Sequence, residues 1–223
     1  MNKVLCVAPH PDDETLGCGG TLLKHKAQGD EIYWLLITGP KLDDPNIDSE
    51  QIQFRKNLIN TISEAYLFDG VDYLALPPAL LHTVDLKDLV VKFSEVFNRI
   101  RPNIIYTMFA NDVHSDHRVA FDAMYSCTKS FRYPFIEKIY MMETLSETEF
   151  AVAVPAQTFL PNVYVDISDF MDEKLSIMQK YPKQLMEAPY PRSLSSIKAL
   201  ARVRGSRAGV MYAEAFQLLY EKR

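Results

Sequence analysis

Short apolar runs alternate along the chain with longer segments in which apolar residues recur at helical spacing. The runs at residues 3–9 and 32–38 are typical of strands buried on both faces, and residues 15–28 between them have a helical pattern. A right-handed crossover usually connects the two parallel strands of such a unit. The beginning of the chain therefore predicts a parallel sheet.

The same alternation continues along the rest of the chain. Further helices are predicted at residues 51–65, 85–100, 119–129 and 168–181, and a last helical region, interrupted by Gly205 and Gly209, at 193–223. Further strands are predicted at residues 66–68, 72–76, 103–108, 138–142 and 163–167. Strands that alternate with helices favour an α/β protein, here a three-layer, Rossmann-like fold with a mainly parallel sheet.

Length, charge and cysteine content exclude several classes of protein. A chain of 223 residues can bury one sizeable core, so a single domain over residues 1–223 is expected. The net charge of −5 argues against a nucleic acid or an anionic membrane as partner. Three widely spaced cysteines favour a reducing compartment, and no run of about 18 apolar residues occurs. We therefore expect a cytoplasmic protein without an integral membrane segment.

Three of the five histidines fall in two short polar clusters, at residues 10–14 and 112–117, each directly after a predicted buried strand. Ligands of open α/β sheets bind at the carboxyl ends of the strands, so we expect both clusters at one site. Two imidazoles and one carboxylate would meet the three-ligand requirement of catalytic Zn²⁺. The alternative is that these side chains only form turns and cap helices. The concentration of scarce histidines at two strand ends favours the metal site.

The sequence Ala-Pro-His-Pro-Asp-Asp-Glu at residues 8–14, followed by Leu-Gly-Cys-Gly-Gly-Thr at 16–21, resembles the first signature of the PIG-L/LmbE-like family of zinc-dependent N-acetylsugar deacetylases. Asp-Val-His-Ser-Asp-His-Arg at residues 112–118 resembles its second signature. The segments 165–168, 201–205 and 212–216 are similar to late segments of bacterial members. The resemblance covers essentially the whole chain and implies a single deacetylase domain over residues 1–223.

The resemblance also implies roles for individual residues. His10, Asp13 and His117 match the metal ligands, for Zn²⁺ or, alternatively, for Fe²⁺ or another divalent metal. Asp12 matches the general base. His114 matches an acid or a group that stabilises the tetrahedral oxyanion. Asp116 is expected to orient His114 and to favour its cationic form.

Arg55 and Asp112 are the candidates for substrate binding. Arg55 resembles an arginine that contacts substrate in some relatives, although Asn57 and Leu58 stand where an acidic residue usually follows it. Asp112 is expected to be the partner of either a metal-site group or a substrate group. His25 and His82 lie outside both signatures and are expected on the surface.

Four charged residues in the last third of the chain allow two interpretations, since they could line the substrate side or form helical salt bridges. They are Arg192, Arg202, Arg204 and Glu214.

The implied reaction is hydrolysis of the acetamide of an N-acetylglucosamine-like sugar, which gives acetate and a free amine. The expected partner is thus a small amino-sugar substrate, and relatives are often homo-oligomers. A metal-dependent amidase that acts on a non-sugar N-acyl substrate is the main alternative. A nucleotide-binding module is disfavoured, because Leu22 occupies a position that a dinucleotide fingerprint requires to be glycine.

Overall fold

Residues 1–223 are described by a computed structural model that contains seven strands and six helices. The strands are β1 (Lys3–Ala8), β2 (Glu31–Thr38), β3 (Gly70–Leu76), β4 (Ile104–Thr107), β5 (Lys138–Met142), β6 (Val163–Asp166) and β7 (Ala213–Glu221). The helices are α1 (Asp13–Ala27), α2 (Ser49–Tyr66), α3 (Leu86–Ile100), α4 (Ser115–Ser126), α5 (Met171–Met178) and α6 (Leu194–Ala208). No helix combines the length and the apolar character that crossing a membrane requires.

The seven strands form one sheet in the order β3-β2-β1-β4-β5-β7-β6. All pairs from β3 to β5 are parallel, and only β7 runs antiparallel to its neighbours β5 and β6. The mainly parallel sheet that the sequence predicts is thus confirmed. The chain moves outward from β1 in one direction and from β4 in the other, so the strand order reverses between them. In open α/β sheets, this reversal leaves a ligand-binding crevice at the carboxyl ends of the strands.

Alternating side chains of the central strands enter two apolar layers. In β1, Val4, Cys6 and Ala8 face one layer, whereas Leu5 and Val7 face the other. Residues of α1, α2, α5 and α6 cover the first face, and residues of α3 and α4 cover the second. The helix, sheet, helix arrangement is the three-layer fold that the sequence predicts.

The last predicted helix is wrong in its second half. Helix α6 ends at Ala208, because Gly209 adopts a left-handed conformation with a φ of 74°. Residues Ala213–Glu221 then form β7, whose backbone pairs with both β5 and β6. Alanine, glutamate and leucine favour helices locally, and this tertiary pairing overrides that preference.

Two smaller expectations are also wrong. Tyr66 is the last residue of α2 rather than the start of a strand, and Leu67 closes that helix with a φ of 57°. His25 is not a surface residue: its Nδ1 lies 2.8 Å from Asp30 Oδ2, and its Nε2 lies 3.1 Å from the hydroxyl of Tyr106. Position outside the two signatures therefore did not indicate exposure.

Helix α1 is interrupted at Cys18, whose φ of −145° is not helical. The amides of Gly20 and Thr21 beyond this break donate to the two carboxylate oxygens of Glu214, at 2.9 and 2.7 Å. The Nζ of Lys174 donates to Glu214 Oε1 at 2.7 Å and to the carbonyl of Leu16 at 3.0 Å. A buried ion pair from α5 and β7 thus satisfies the backbone groups that the break exposes.

Replacing Lys174 with methionine is expected to lower the free energy of unfolding by about 3–5 kcal/mol, because it leaves the Glu214 carboxylate buried without its cation. Urea unfolding followed by circular dichroism measures the loss. The matched control is Lys198→Met, since Lys198 Nζ lies 3.8 Å from the exposed carboxylate of Asp172. That variant should stay within about 0.5 kcal/mol of the parent protein. Equal stability of the two variants would contradict the expectation.

Candidate metal centre

The two polar clusters meet at the reversal of strand order. The loop after β1 carries His10, and the loop after β4 carries His114 at the N-terminus of α4, which contains His117. The ring centroids of His10 and His114 lie 4.4 Å apart, and each lies 5.5 Å from that of His117. Parallel pairing of β1 with β4 therefore brings together residues that are roughly a hundred positions apart in the chain.

Asp13 lies between two of these histidines. Its Oδ2 is 3.5 Å from Nδ1 of His10 and 3.2 Å from Nε2 of His117. One ligand atom from each of the three residues lies within 4.8 Å of the others. His117 is fully buried, yet its Nε2 makes no hydrogen bond. A buried polar atom without a partner is costly, so this donor set fits a divalent cation.

A further carboxylate contacts each candidate histidine ligand on the side of the ring that faces away from Asp13. Asp112 Oδ2 lies 2.8 Å from Nδ1 of His117, and Asp116 Oδ2 lies 3.1 Å from Nε2 of His10. Such contacts fix the tautomer and the orientation of a metal-binding imidazole, so that its second nitrogen faces the metal. In both rings the nitrogen that faces away from the outer carboxylate faces Asp13.

The positions of Asp116 and Asp112 correct two expectations. The carboxylate of Asp116 contacts His10 and the amides of Ala79 and Leu81, not the ring of His114. Asp112 is fully buried, and its carboxylate is occupied by His117 and by other protein groups, so it cannot contact substrate in this arrangement. The sequence left open whether Asp112 is the partner of a metal-site group or of a substrate group. The structure favours the metal-site group, here His117.

The charges at the centre favour a cation. Burial opposes protonation of His10, but hydrogen bonds to Asp116 and Asp13 outweigh it and raise the pKa of His10 to about 9. Burial also raises the pKa of Asp13, yet the neighbouring charge of His117 and the close approach of both histidine rings hold that pKa below its usual range. The same carboxylates that favour protons on these rings would favour a dication in their place.

Asp12 lies outside this donor set. It precedes α1 with a φ of 134°, a strained conformation for any residue other than glycine. Its carboxylate is almost fully buried, and Arg192 Nη1 lies 3.4 Å from Oδ2. Burial, reinforced by the charges of Asp13 and Glu14, raises the pKa of Asp12 well above that of an ordinary aspartate. A carboxylate in such an environment is suited to accept a proton near neutral pH.

His114 lines the same cavity as Asp12, which has a volume of about 320 Å³. Its Nδ1 accepts the amide hydrogen of Asp116 at 3.1 Å, as expected of a residue that caps α4. Burial and the charges of His10 and His117 lower the pKa of His114 despite the nearby carboxylate of Asp116. This direction disfavours the cationic form of His114 that the sequence led us to expect, and a neutral ring whose Nδ1 accepts an amide hydrogen carries its own hydrogen on Nε2.

Arg55 also lines this cavity, as does Arg192. The other three late candidates do not: Glu214 pairs with Lys174, Arg204 pairs with Glu143 at 2.6 Å, and Arg202 donates to the carbonyl of Met211. Glu147 and Gln184 are among the further lining residues that sequence reasoning missed. Gln184 belongs to a proline-rich segment, and only that loop-like composition could have drawn attention to it.

Replacing Asp112 with asparagine is expected to weaken metal binding by about 10- to 100-fold, because a neutral amide is a poorer partner for the Nδ1–H of His117 than a carboxylate. Competition with a chromophoric chelator measures the dissociation constant. Asp122→Asn changes an exposed aspartate of α4 in the same way and should leave the constant unchanged. Unchanged affinity in Asp112→Asn would show that this carboxylate does not support a metal ligand.

Known proteins with similar sequences and structures share this arrangement of strands and helices. The chain is 25% identical over 232 residues to diacetylchitobiose deacetylase of Thermococcus kodakarensis, with 98% of this chain and 84% of that protein covered. It is 26% identical over 129 residues to the probable N-acetyl-alpha-D-glucosaminyl L-malate deacetylase 2 of Bacillus subtilis, with 54% of this chain and 58% of that protein covered. A conserved protein of Thermus thermophilus superposes with a TM-score of 0.78 and 26% identity, with 100% of this chain and 97% of that chain covered.

The family described as GlcNAc-PI de-N-acetylase, PIG-L, matches residues 5–128, which is more than half of the chain. The match includes most of β1, all of β4 and both polar clusters, and thus all three residues of the candidate metal centre. The resemblance of the two signatures is confirmed, and the chain belongs to the PIG-L family of deacetylases.

Proposed function

We propose that the protein is a metal-dependent hydrolase that removes the acetyl group from an N-acetylglucosamine-type sugar, with residues 1–223 acting as one deacetylase domain. The observation that carries the proposal is that the carboxylate of Asp12 lines one cavity together with His10 and Asp13 of the donor set, whose third member, His117, lies buried beside them. Two of the sequence relatives are a diacetylchitobiose deacetylase and a probable N-acetyl-alpha-D-glucosaminyl L-malate deacetylase, and both names describe an acetamido sugar as substrate.

The metal that we propose is zinc, held by His10, Asp13 and His117. Two imidazole nitrogens and one carboxylate form a common ligand set of catalytic zinc, although Fe²⁺ or another divalent metal also accepts these donors. When bound, such a metal polarises a carbonyl group and lowers the pKa of water to about 7.

Asp12 then accepts a proton from the water that attacks the acetamide carbonyl carbon. Its raised pKa allows it to hold that proton and to deliver it to the nitrogen when the carbon–nitrogen bond breaks. Arg192 keeps the carboxylate in place through its contact at 3.4 Å. The products are acetate and the free amine, so the atoms of one water and one amide are all accounted for.

His114 acts as a hydrogen-bond donor in this mechanism. Because its Nδ1 already accepts the amide hydrogen of Asp116, the neutral ring presents Nε2–H to the cavity that it lines. A donor at this place stabilises the negative charge that develops on the carbonyl oxygen. We therefore assign both proton transfers to Asp12 and oxyanion stabilisation to His114.

The test is acetate release by the zinc-loaded protein from a panel of acetamido sugars and N-acetyl amino acids, followed by mass spectrometry. We expect acetate and a free amine from at least one acetamido sugar, and release that is at least about 100-fold slower by Asp12→Asn prepared in the same way. Release from N-acetyl amino acids alone would favour the amidase that acts on non-sugar substrates. No release from any substrate would overturn the assignment as a deacetylase.

A cytoplasmic location and a homo-oligomeric state remain predictions. The location is supported by the three cysteines, all of which are buried and free. Light scattering coupled to size-exclusion chromatography measures the oligomeric state.

A further inference from the structure

A second cavity of about 230 Å³ adjoins the one above the metal centre. It lies between α2 and the segment that follows α5, and it is lined in part by Phe54 and Lys183. Pro11, Arg55 and Gln184 line both cavities. The two cavities are therefore adjacent, and a substituent of a sugar held at the metal centre points toward the second one if it leaves the sugar on this side.

The two cavities differ in charge. Asp12, Asp13 and Glu147 line the cavity above the metal centre, whereas no acidic residue lines the second one. The second cavity instead contains two cationic side chains, those of Arg55 and Lys183. In a chain with a net charge of −5, this is a local reversal of sign. Such a cavity attracts anions and repels cations.

The guanidinium of Arg55 lacks a partner inside the protein. Its Nη1 is buried without a hydrogen bond, and no carboxylate lies within ion-pair distance of the group. Its Cζ lies beside Gly39, where a Cβ atom would be only 3.2 Å away. A partly buried and unpaired guanidinium is a favourable partner for an anion.

Lys183 supplies the second charge at the rim of this cavity. Its side chain is exposed, and its Nζ lies 4.4 Å from the ring centroid of Phe54 on α2. A contact between a cation and an aromatic face holds the ammonium beside the cavity without neutralising it. Lys183 forms no ion pair with any carboxylate, so both cations are available to a ligand.

We propose that this second cavity is a subsite for an anionic group, a carboxylate or a phosphate ester, which the substrate carries on the sugar away from the acetamide. Arg55 binds two oxygens of the anion through its planar fork, and Lys183 adds a second positive charge at the entrance. The subsite rests on the proposed function and specifies its substrate class. Both residues determine specificity, because they contact a part of the substrate that does not react.

The experiment compares three acetamido sugars with the zinc-loaded protein: N-acetylglucosamine 1-phosphate, an N-acetylglucosamine glycoside of a hydroxy acid, and the neutral methyl glycoside. We expect kcat/KM to be about 10- to 100-fold higher for at least one anionic sugar than for the neutral one, as for hydrogen bonds to charged groups. The phosphate and carboxylate arms show which anion the subsite prefers.

Two variants test whether these cations cause the preference. Arg55→Met should reduce the ratio of anionic to neutral kcat/KM by at least about tenfold, and Lys183→Met should reduce it severalfold. Lys183 is exposed, so its variant folds even if Arg55→Met does not. Lys180→Met, which removes an exposed lysine outside the cavity, should leave the ratio unchanged. Increasing salt should lower the ratio most for the parent protein.

The outcomes separate this inference from the proposed function. A ratio near one with measurable deacetylation of the neutral glycoside overturns the subsite and leaves the deacetylase intact. A preference that persists in both Arg55→Met and Lys183→Met also overturns it, because the anion then binds elsewhere. Absence of activity on every acetamido sugar contradicts the proposed function itself. Titration of the two anionic sugars into Asp12→Asn measures their binding without turnover. Adding Lys183→Met to that variant should weaken the binding severalfold.

Discussion

Replacing Asp12 with asparagine lowers kcat by about 10²- to 10⁴-fold while metal remains bound, the loss that is typical when a general base is removed. The amide has the shape of the carboxylate but cannot accept the proton of the attacking water. The metal stays because His10, Asp13 and His117 are unchanged. Steady-state kinetics together with metal analysis of the same sample measures both quantities.

The control for this experiment is Asp43→Asn, an exposed aspartate in the loop between β2 and α2. It should keep the kcat of the parent protein. If metal disappears together with activity in Asp12→Asn, Asp12 belongs to the ligand set. If kcat survives, another group accepts the proton, and the strained backbone at Asp12 needs a different explanation.

Replacing His117 with alanine removes metal from the protein and lowers kcat/KM by at least about 10³-fold, since the metal accounts for several kcal/mol of transition-state stabilisation. His117 supplies a buried Nε2 that makes no hydrogen bond in the protein and faces Asp13, so its loss removes a ligand for which nothing substitutes. Metal stoichiometry and acetate release, measured on one preparation, check both effects.

The matched control is His82→Ala, because His82 is exposed and lies outside the centre. Circular dichroism of His117→Ala separates loss of metal from loss of fold. Treating the parent protein with a chelator should reproduce the loss, and added Zn²⁺ should reverse it only in the parent. Full activity in metal-free His117→Ala would refute the assignment of the centre.

The fold and the three-residue donor set could be predicted because their signals are local. The run that forms β1 is apolar, buried on both faces and followed directly by His10, and β4 precedes the second cluster in the same way. Parallel pairing of β1 with β4 is then sufficient to bring the ends of the two strands together. The strand β7 could not be predicted, since its pairing with β5 and β6 decides its conformation.

The partners of the catalytic side chains could not be predicted for the same reason. Asp116 is two positions from His114 in the chain, but its carboxylate contacts His10, which is 106 positions away. Arg192 contacts Asp12 across 180 positions, and no spacing pattern connects them. The two signatures therefore identify the residues that form the site, whereas the folded structure determines which of these residues are in contact.

The break in α1 has a consequence for how far the protein can be shortened. A fragment that ends at residue 128 would contain every candidate metal ligand and the whole segment that matches the family. It would lack Lys174 and Glu214. These two side chains form hydrogen bonds with the backbone groups that the break leaves unpaired in α1, the helix that carries Asp13. We therefore expect the minimal catalytic unit to be longer than the segment that matches the family and to include β7, which carries Glu214.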